Sequence, residues 1–134
     1  MHDTRHNPYA WAVSVIATVF AVGNIGLGWV LLAAPQRLRG VSFTYILHVA
    51  PAWLWGAGFV TSGAVALFGQ YTHRLYPARL AHTASAVACI FWAVAFAYAA
   101  FAPGGEGVSL TGVIAYGVVI GVTHAVLAVV TPHE

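Results

Sequence analysis

Charged residues are scarce in this sequence. Only 6% of the 134 residues are charged, whereas 60% are apolar, and the mean hydropathy is +0.82. An ordinary soluble domain is about a quarter charged, so this chain has too few polar side chains to cover a surface in water. The composition predicts a chain that lies in a lipid bilayer. It excludes a disordered tail, a coiled coil and a nucleic-acid-binding domain, so no nucleic acid is expected as a partner.

Cysteine and lysine are also scarce. Cys89 is the single cysteine, which excludes an internal disulfide. Lysine is absent, so all five basic charges are arginines. No intramembrane acid, phosphate-binding loop, catalytic triad or zinc-ligand spacing is found. The sequence therefore predicts neither a catalytic residue nor a metal site, and it favours a protein that is not an enzyme.

The few charges divide the chain into long uncharged stretches. Each stretch exceeds the roughly 20 residues that a helix needs to cross the hydrocarbon core, and none alternates as a barrel strand would. Because the connections are short, consecutive spans should be antiparallel neighbours. The prediction is an all-α integral membrane four-helix bundle in a single domain, residues 1–134. The predicted spans cover residues 9–34, 44–69, 78–102 and 109–131.

The arginines give an orientation. Arg5, Arg74 and Arg79 lie at the N-terminus and in the second connection, on one side of the membrane, whereas Arg37 and Arg39 lie in the first connection, on the other side. The positive-inside rule then places both termini in the cytoplasm, and the protein in the cytoplasmic membrane.

The chain also matches itself weakly at a shift of half its length. Residues 40–44 align with 107–111, His6 with His73, and Tyr9 with Tyr76. One interpretation is a duplicated helical hairpin, which would make a pseudo-symmetric four-helix unit. The other is chance, reinforced by recurrent helix-cap chemistry. Both interpretations stay open at this stage.

Small and polar residues should mark the contacts between spans. Helices in a bilayer associate through close van der Waals contact and a few hydrogen bonds, because lipid tails are as apolar as leucine. The candidate packing residues are Asn24, Gly58, Ser62, Ser85, Cys89, Ala93, Gly117 and Gly121. The same surfaces could serve a homo-oligomer or a larger membrane-protein assembly.

Two histidines are the candidates for binding chemistry. His82 and His124 fall at similar depths in the third and fourth spans, on the same side of the membrane. Such a pair could be the axial ligands of a b-type haem or could bind a quinone headgroup. The alternative is a pair of neutral imidazoles hydrogen-bonded to helix carbonyls or to neighbouring threonines. On that alternative no cofactor is expected.

Several features together resemble a loose group of small four-span membrane proteins of actinobacterial phages. They are a first span that ends at Pro35, the following Arg39-Gly40, the run Pro51-Ala52-Trp53-Leu54-Trp55-Gly56, Arg79 at the start of the third span, and arginine without lysine. The resemblance implies no catalytic residues, and in some members a holin-like role. The predicted function is helix association in the membrane, as a holin-like oligomer or as a structural or accessory subunit of a membrane or virion assembly. The alternative function is a haem- or quinone-binding electron-transfer subunit.

Overall fold

The computed structural model describes residues 8–37, 41–72, 74–101 and 111–130, and all regular structure in these ranges is helical. The helices are α1 (Pro8–Ala33), a 3-10 turn (Pro35–Arg37), α2 (Val41–Val49), α3 (Ala52–Tyr71), α4 (Leu75–Phe101), a π-helical segment (Val113–Gly121) and α5 (Val122–Val130). The π-helical segment and α5 are continuous and together form the fourth span.

In this described part of the chain, four helical spans are long and apolar enough to cross a membrane. They are Tyr9–Ala33, Ala52–Tyr71, Tyr76–Phe101 and Val113–Val130. The helices pack together into one bundle. The all-α fold with four membrane-spanning helices is therefore confirmed, and the chain is a polytopic membrane protein.

The second span differs from its prediction. Residues 44–69 are predicted as one helix, whereas the structure ends α2 at Val49 and begins α3 at Ala52. Pro51 lacks the N–H group that a continuous helix needs, and it takes an extended conformation with φ −65° and ψ 154°. Its carbonyl instead accepts the first hydrogen bond of α3, from the N–H of Leu54 at 3.0 Å. The proline thus produces a short α2 followed by a separate membrane-spanning α3.

Glycines set the contact between α1 and α3. A Cβ on Gly28 would lie 2.6 Å from the carbonyl oxygen of Gly56, and a Cβ on Gly63 would lie 2.5 Å from that of Ala21. No real side chain tolerates such distances, so the two backbones approach as closely as glycine allows. Gly56 and Gly63 are seven residues apart, about two helical turns, and therefore lie on the same face of α3.

An aromatic cluster fills one half of the bundle interior. The indole of Trp92 in α4 is completely buried. Its ring centroid lies 5.3 Å from that of Phe59, 5.7 Å from Trp55 and 6.2 Å from Phe43. Phe43 comes from α2, so the short helix that precedes Pro51 contributes to this core.

Consecutive spans run antiparallel, and the bundle is open along one seam. α1 packs along α3, α3 along α4, and α4 along the fourth span, whereas α1 meets the fourth span mainly through α5. The turn between α3 and α4 is closed by the N–H of Arg74, which donates to the carbonyl of Gly69 at 2.8 Å. Residues 107–110, His6 and His73, on which the duplication depends, lie outside the described residues.

Candidate functional site

One face of α4 carries polar side chains into the bundle. His82, Ser85, Cys89 and Trp92 follow one another at spacings of three and four residues, which keeps them on one side of a helix. All four are buried, with at most 2% of the side chain exposed. The sequence predicts packing roles for Ser85 and Cys89, and the structure places His82 and Trp92 on the same face.

His82 meets His124 from α5 inside the bundle. Their Nδ1 atoms are 3.0 Å apart, and their ring centroids are 5.2 Å apart. The sequence places these residues at similar depth, and the structure brings the two imidazoles into direct contact. Because a hydrogen bond needs one donor and one acceptor, one Nδ1 carries a proton and the other presents its lone pair. The two imidazoles therefore form a hydrogen bond that links α4 to α5.

This contact does not fit two axial ligands of one haem. Metal–imidazole bonds are about 2.0–2.1 Å long, so ligand atoms on opposite sides of one metal ion lie about 4 Å apart. The 3.0 Å separation leaves no room for a porphyrin between the rings. In the described residues, no group of three or more His, Cys, Asp or Glu side chains is placed to hold a metal ion.

The second nitrogen of His124 is buried without a protein partner. His124 is completely buried, and among the described residues no group hydrogen-bonds to its Nε2. The edge-to-face contact with the ring of Phe20, at 5.4 Å between centroids, encloses this imidazole from the side of α1. The hydrogen bond to His82 satisfies only the Nδ1 of His124, so burial of the unpaired Nε2 still costs free energy.

A second polar cluster links α1, α3 and α4 near the middle of the bundle. The Nδ2 of Asn24 donates to the hydroxyl of Ser85 at 2.7 Å, the hydroxyl of Ser85 donates to that of Ser62 at 3.0 Å, and the hydroxyl of Ser62 donates to the carbonyl of Phe59 at 3.1 Å. We call Asn24, Ser85 and Ser62 the polar triad. It ties three helices together through hydrogen bonds that have no competition from water.

Two grooves flank the polar triad. The first, which we call the α1 groove, has a volume of about 300 Å³ and lies between α1 and the π-helical segment; Val19, Phe20, Gly23, Asn24, Leu27, Tyr116 and Ile120 line it. The second, the α3 groove, has a volume of about 340 Å³; Ala50, Leu54, Trp55, Gly58, Phe59, Ser62, Ala84, Ser85 and Ala88 line it. Neither His82 nor His124 is among the residues that line these two grooves.

The remaining predicted packing residues fall into two groups. Cys89 and Gly121 are buried at the contact between α4 and the fourth span, and a Cβ on Gly117 would lie 3.0 Å from the Cβ of Ala93. Gly58 is the exception, because it is exposed and a Cβ there would meet nothing within 4 Å. Within one chain, therefore, Gly58 does not form a contact between helices. Gly58 lies two residues, about 200° of rotation, from Gly56, which does take part in helix packing.

Sequence reasoning missed two polar contacts at the ends of the bundle. The Nε of Arg79 donates to the carbonyl of Ala128 at 2.7 Å, which joins the start of α4 to α5. The hydroxyl of Thr18 in α1 lies 2.9 Å from the Oε1 of Gln70 in α3 and 2.8 Å from the carbonyl oxygen of Ser14, and it has one proton for these two acceptors. The Nε2 of Gln70 is buried without a partner among the described residues. An arginine that opens a span is a signal for the first contact. No pattern in the sequence indicates the second.

Comparison of the chain with protein-family models, with curated proteins and with solved structures finds no match. The functional argument therefore rests on the sequence and on the geometry of the bundle.

Proposed function

We propose that this protein acts without catalysis, by association of its helices in the membrane, as a holin-like homo-oligomer or as a structural or accessory subunit of a larger membrane or virion assembly. The observation that carries the proposal is a pair of uncovered glycines. Gly26 in α1 and Gly58 in α3 are both exposed, and a Cβ on either would meet nothing within 4 Å.

Small residues at the surface of a bundle let another helix approach closely. In lipid, this close approach provides the van der Waals contact that drives association. Within one chain, Gly28, Gly56 and Gly63 already serve this purpose at the α1–α3 contact. Gly26 and Gly58 lie on the outside of the bundle, so a helix of another molecule can approach closely there.

Energy transfer between two fluorophore-labelled populations of the full chain, reconstituted together in liposomes, tests the association. We expect transfer that depends on the protein-to-lipid ratio, and for Gly26→Leu or Gly58→Leu a rise in the dissociation constant of about tenfold, as the loss of about 1.4 kcal/mol of contact would give. Val118→Leu, on the exposed side of the fourth span, is the matched control and should leave the transfer unchanged. Transfer at the level expected for random proximity at every ratio would contradict self-association.

The two forms of the proposal differ in what the assembly does. We place the protein in the cytoplasmic membrane with both termini on the cytoplasmic side, on the arginine distribution and on its resemblance to four-span phage proteins. A holin-like oligomer depolarises that membrane when it accumulates, and this can be followed with a potential-sensitive dye in a bacterial host. A structural subunit leaves the potential intact and co-purifies with a partner in a fixed ratio. Full polarisation at high membrane levels would therefore exclude the lytic form.

The haem version of the electron-transfer alternative is not retained. His82 and His124 hydrogen-bond to each other, and their spacing does not fit the axial positions of one haem. The α1 groove is instead lined by Asn24, a buried polar side chain, and by its neighbours.

A further inference from the structure

We propose that the α1 groove is a binding site for the hydroxyl-bearing ring of a lipid-soluble hydroquinone, which donates a hydrogen bond to the Oδ1 of Asn24. The site lies within a single chain, so the proposal is independent of helix association between copies. It assigns a ligand to a cavity and involves no redox step by the protein.

The direction of the hydrogen bonds in the polar triad fixes the orientation of the Asn24 amide. The hydroxyl of Ser62 gives its only proton to the carbonyl of Phe59, so Ser62 accepts from Ser85. Ser85 has then spent its own proton, and it must accept from Asn24. The three contacts are therefore all hydrogen bonds only when Asn24 presents its NH₂ group to the serines.

The same orientation leaves the amide oxygen of Asn24 without a donor. Both hydrogen bonds of the Asn24 side chain are donated by Nδ2, to Ser85 and to Ser62, and no described residue donates to Oδ1. The side chain is only 4% exposed, yet it lines the α1 groove. Oδ1 is thus an acceptor with no described partner, on a side chain that lines the groove. In hydrocarbon no water is present to satisfy it, so a bound donor gains the full benefit of the hydrogen bond.

The rest of the groove fits an apolar ring with a tail. Phe20 and Tyr116 supply aromatic walls, and the Tyr116 ring is held in place by stacking on Phe96 at 5.5 Å. Gly23 contributes no side chain, and a Cβ there would meet nothing within 4 Å. The volume of about 300 Å³ lies at the low end of the range for ligand pockets, so it holds one substituted ring. The seam between α1 and the fourth span is open, which lets a tail continue into the lipid.

The chemistry selects the reduced form of such a ligand. A hydroquinone carries O–H donors, whereas the oxidised quinone carries only carbonyl acceptors, which cannot satisfy the Asn24 oxygen. A hydroquinone in which both hydroxyls are methylated has the same ring and tail but no donor. The hydroquinone, the quinone and the dimethyl ether therefore differ mainly in whether they can donate a hydrogen bond to the Oδ1 of Asn24.

The test measures the retention of a decyl-substituted hydroquinone by the full chain in lipid nanodiscs, under anaerobic conditions and with no reductant in the quinone samples, against empty nanodiscs. We expect specific retention of the hydroquinone, with affinity about fivefold or more weaker for the corresponding quinone and for the dimethyl ether, as the loss of about one hydrogen bond predicts. Equal retention of all three molecules, or no retention above empty nanodiscs, would overturn the proposal. This comparison uses the unaltered chain and does not depend on the folding of any variant.

A matched pair of variants locates the site. Gly23→Leu places a side chain in the α1 groove and should abolish specific retention, whereas Gly26→Leu, on the same helix but outside the groove, should leave it unchanged. Retention of the hydroquinone by Gly23→Leu would count against this location. Since Gly26→Leu is the variant expected to weaken association between copies, the two proposals can fail separately.

Discussion

At the scale of residues, the bundle interior shows how polar side chains are accommodated in an apolar helix bundle. Asn24, Ser62 and Ser85 would each be costly alone in hydrocarbon, but the NH₂ group of Asn24 and the two hydroxyls form a directed chain of hydrogen bonds. His82 and His124 share a single hydrogen bond, which leaves the Nε2 of His124 without a partner among the described residues. Ser85 is the central member of the polar triad, because it is at once the acceptor for α1 and the donor to α3.

Ser85→Ala should therefore destabilise the bundle by about 1 kcal/mol, since it removes two hydrogen bonds and leaves the Asn24 Nδ2 only its long contact with Ser62. The measurement is unfolding of the purified protein by a denaturing detergent. Thr83→Ala is the control, because the exposed Thr83 hydroxyl bonds only the carbonyl of Arg79 on its own helix. If the two variants unfold alike, the polar triad contributes nothing measurable.

At the scale of helices, glycine position decides which faces approach. α3 buries Gly56, Phe59, Gly63, Ala66 and Gly69, which follow one another at spacings of three or four residues, as expected for one helical face. A stripe at a constant spacing of four residues, such as one from Gly58, drifts around the helix because a turn has 3.6 residues. That drift explains why Gly58 is exposed although Ser62, four residues later, takes part in the polar triad.

We expect Gly63→Ala to lower the free energy of unfolding by about 1–3 kcal/mol, because its new methyl group would overlap the carbonyl oxygen of Ala21 in α1. Gly58→Ala adds the same methyl group where nothing lies within 4 Å, so stability should be unchanged or slightly higher. Detergent-induced unfolding of both variants makes the comparison. Equal stability of the pair would show that α1 and α3 are not in close contact.

At the scale of the whole molecule, four antiparallel spans place successive connections on opposite sides of the membrane. Gln36, in the 3-10 turn after α1, and Arg74, just before α4, are both exposed and lie at opposite ends of the bundle. The buried Cys89 gives little background for thiol labelling.

A membrane-impermeant maleimide added to intact cells should label Gln36→Cys and leave Arg74→Cys unlabelled, if both termini are cytoplasmic. Permeabilised cells, in which both positions should react, provide the control. The reverse pattern would invert the orientation, and labelling of both positions from outside would contradict the four-span topology.

Hydropathy along the sequence is enough to predict four stretches that cross a membrane, although the second lies at Ala52–Tyr71 and not at residues 44–69. Hydropathy sums locally along the chain, so no knowledge of neighbouring helices is required. The depths of His82 and His124 follow in the same way from the helical rise per residue. The prediction of one helix over residues 44–69 is wrong because it overlooks Pro51, which prevents a continuous helix there.

Which helix faces meet cannot be predicted in this way and depends on how the helices pack. The bond between the two histidine rings, the direction of the polar triad, and the choice of Gly56 and Gly63 over Gly58 all depend on how each helix is rotated about its axis. In an almost uniformly apolar chain, the sequence pattern does not fix that rotation, because lipid and protein interior attract the same side chains. Rotation is set by the fit between helices, and the open seam beside Asn24 is a consequence of that fit.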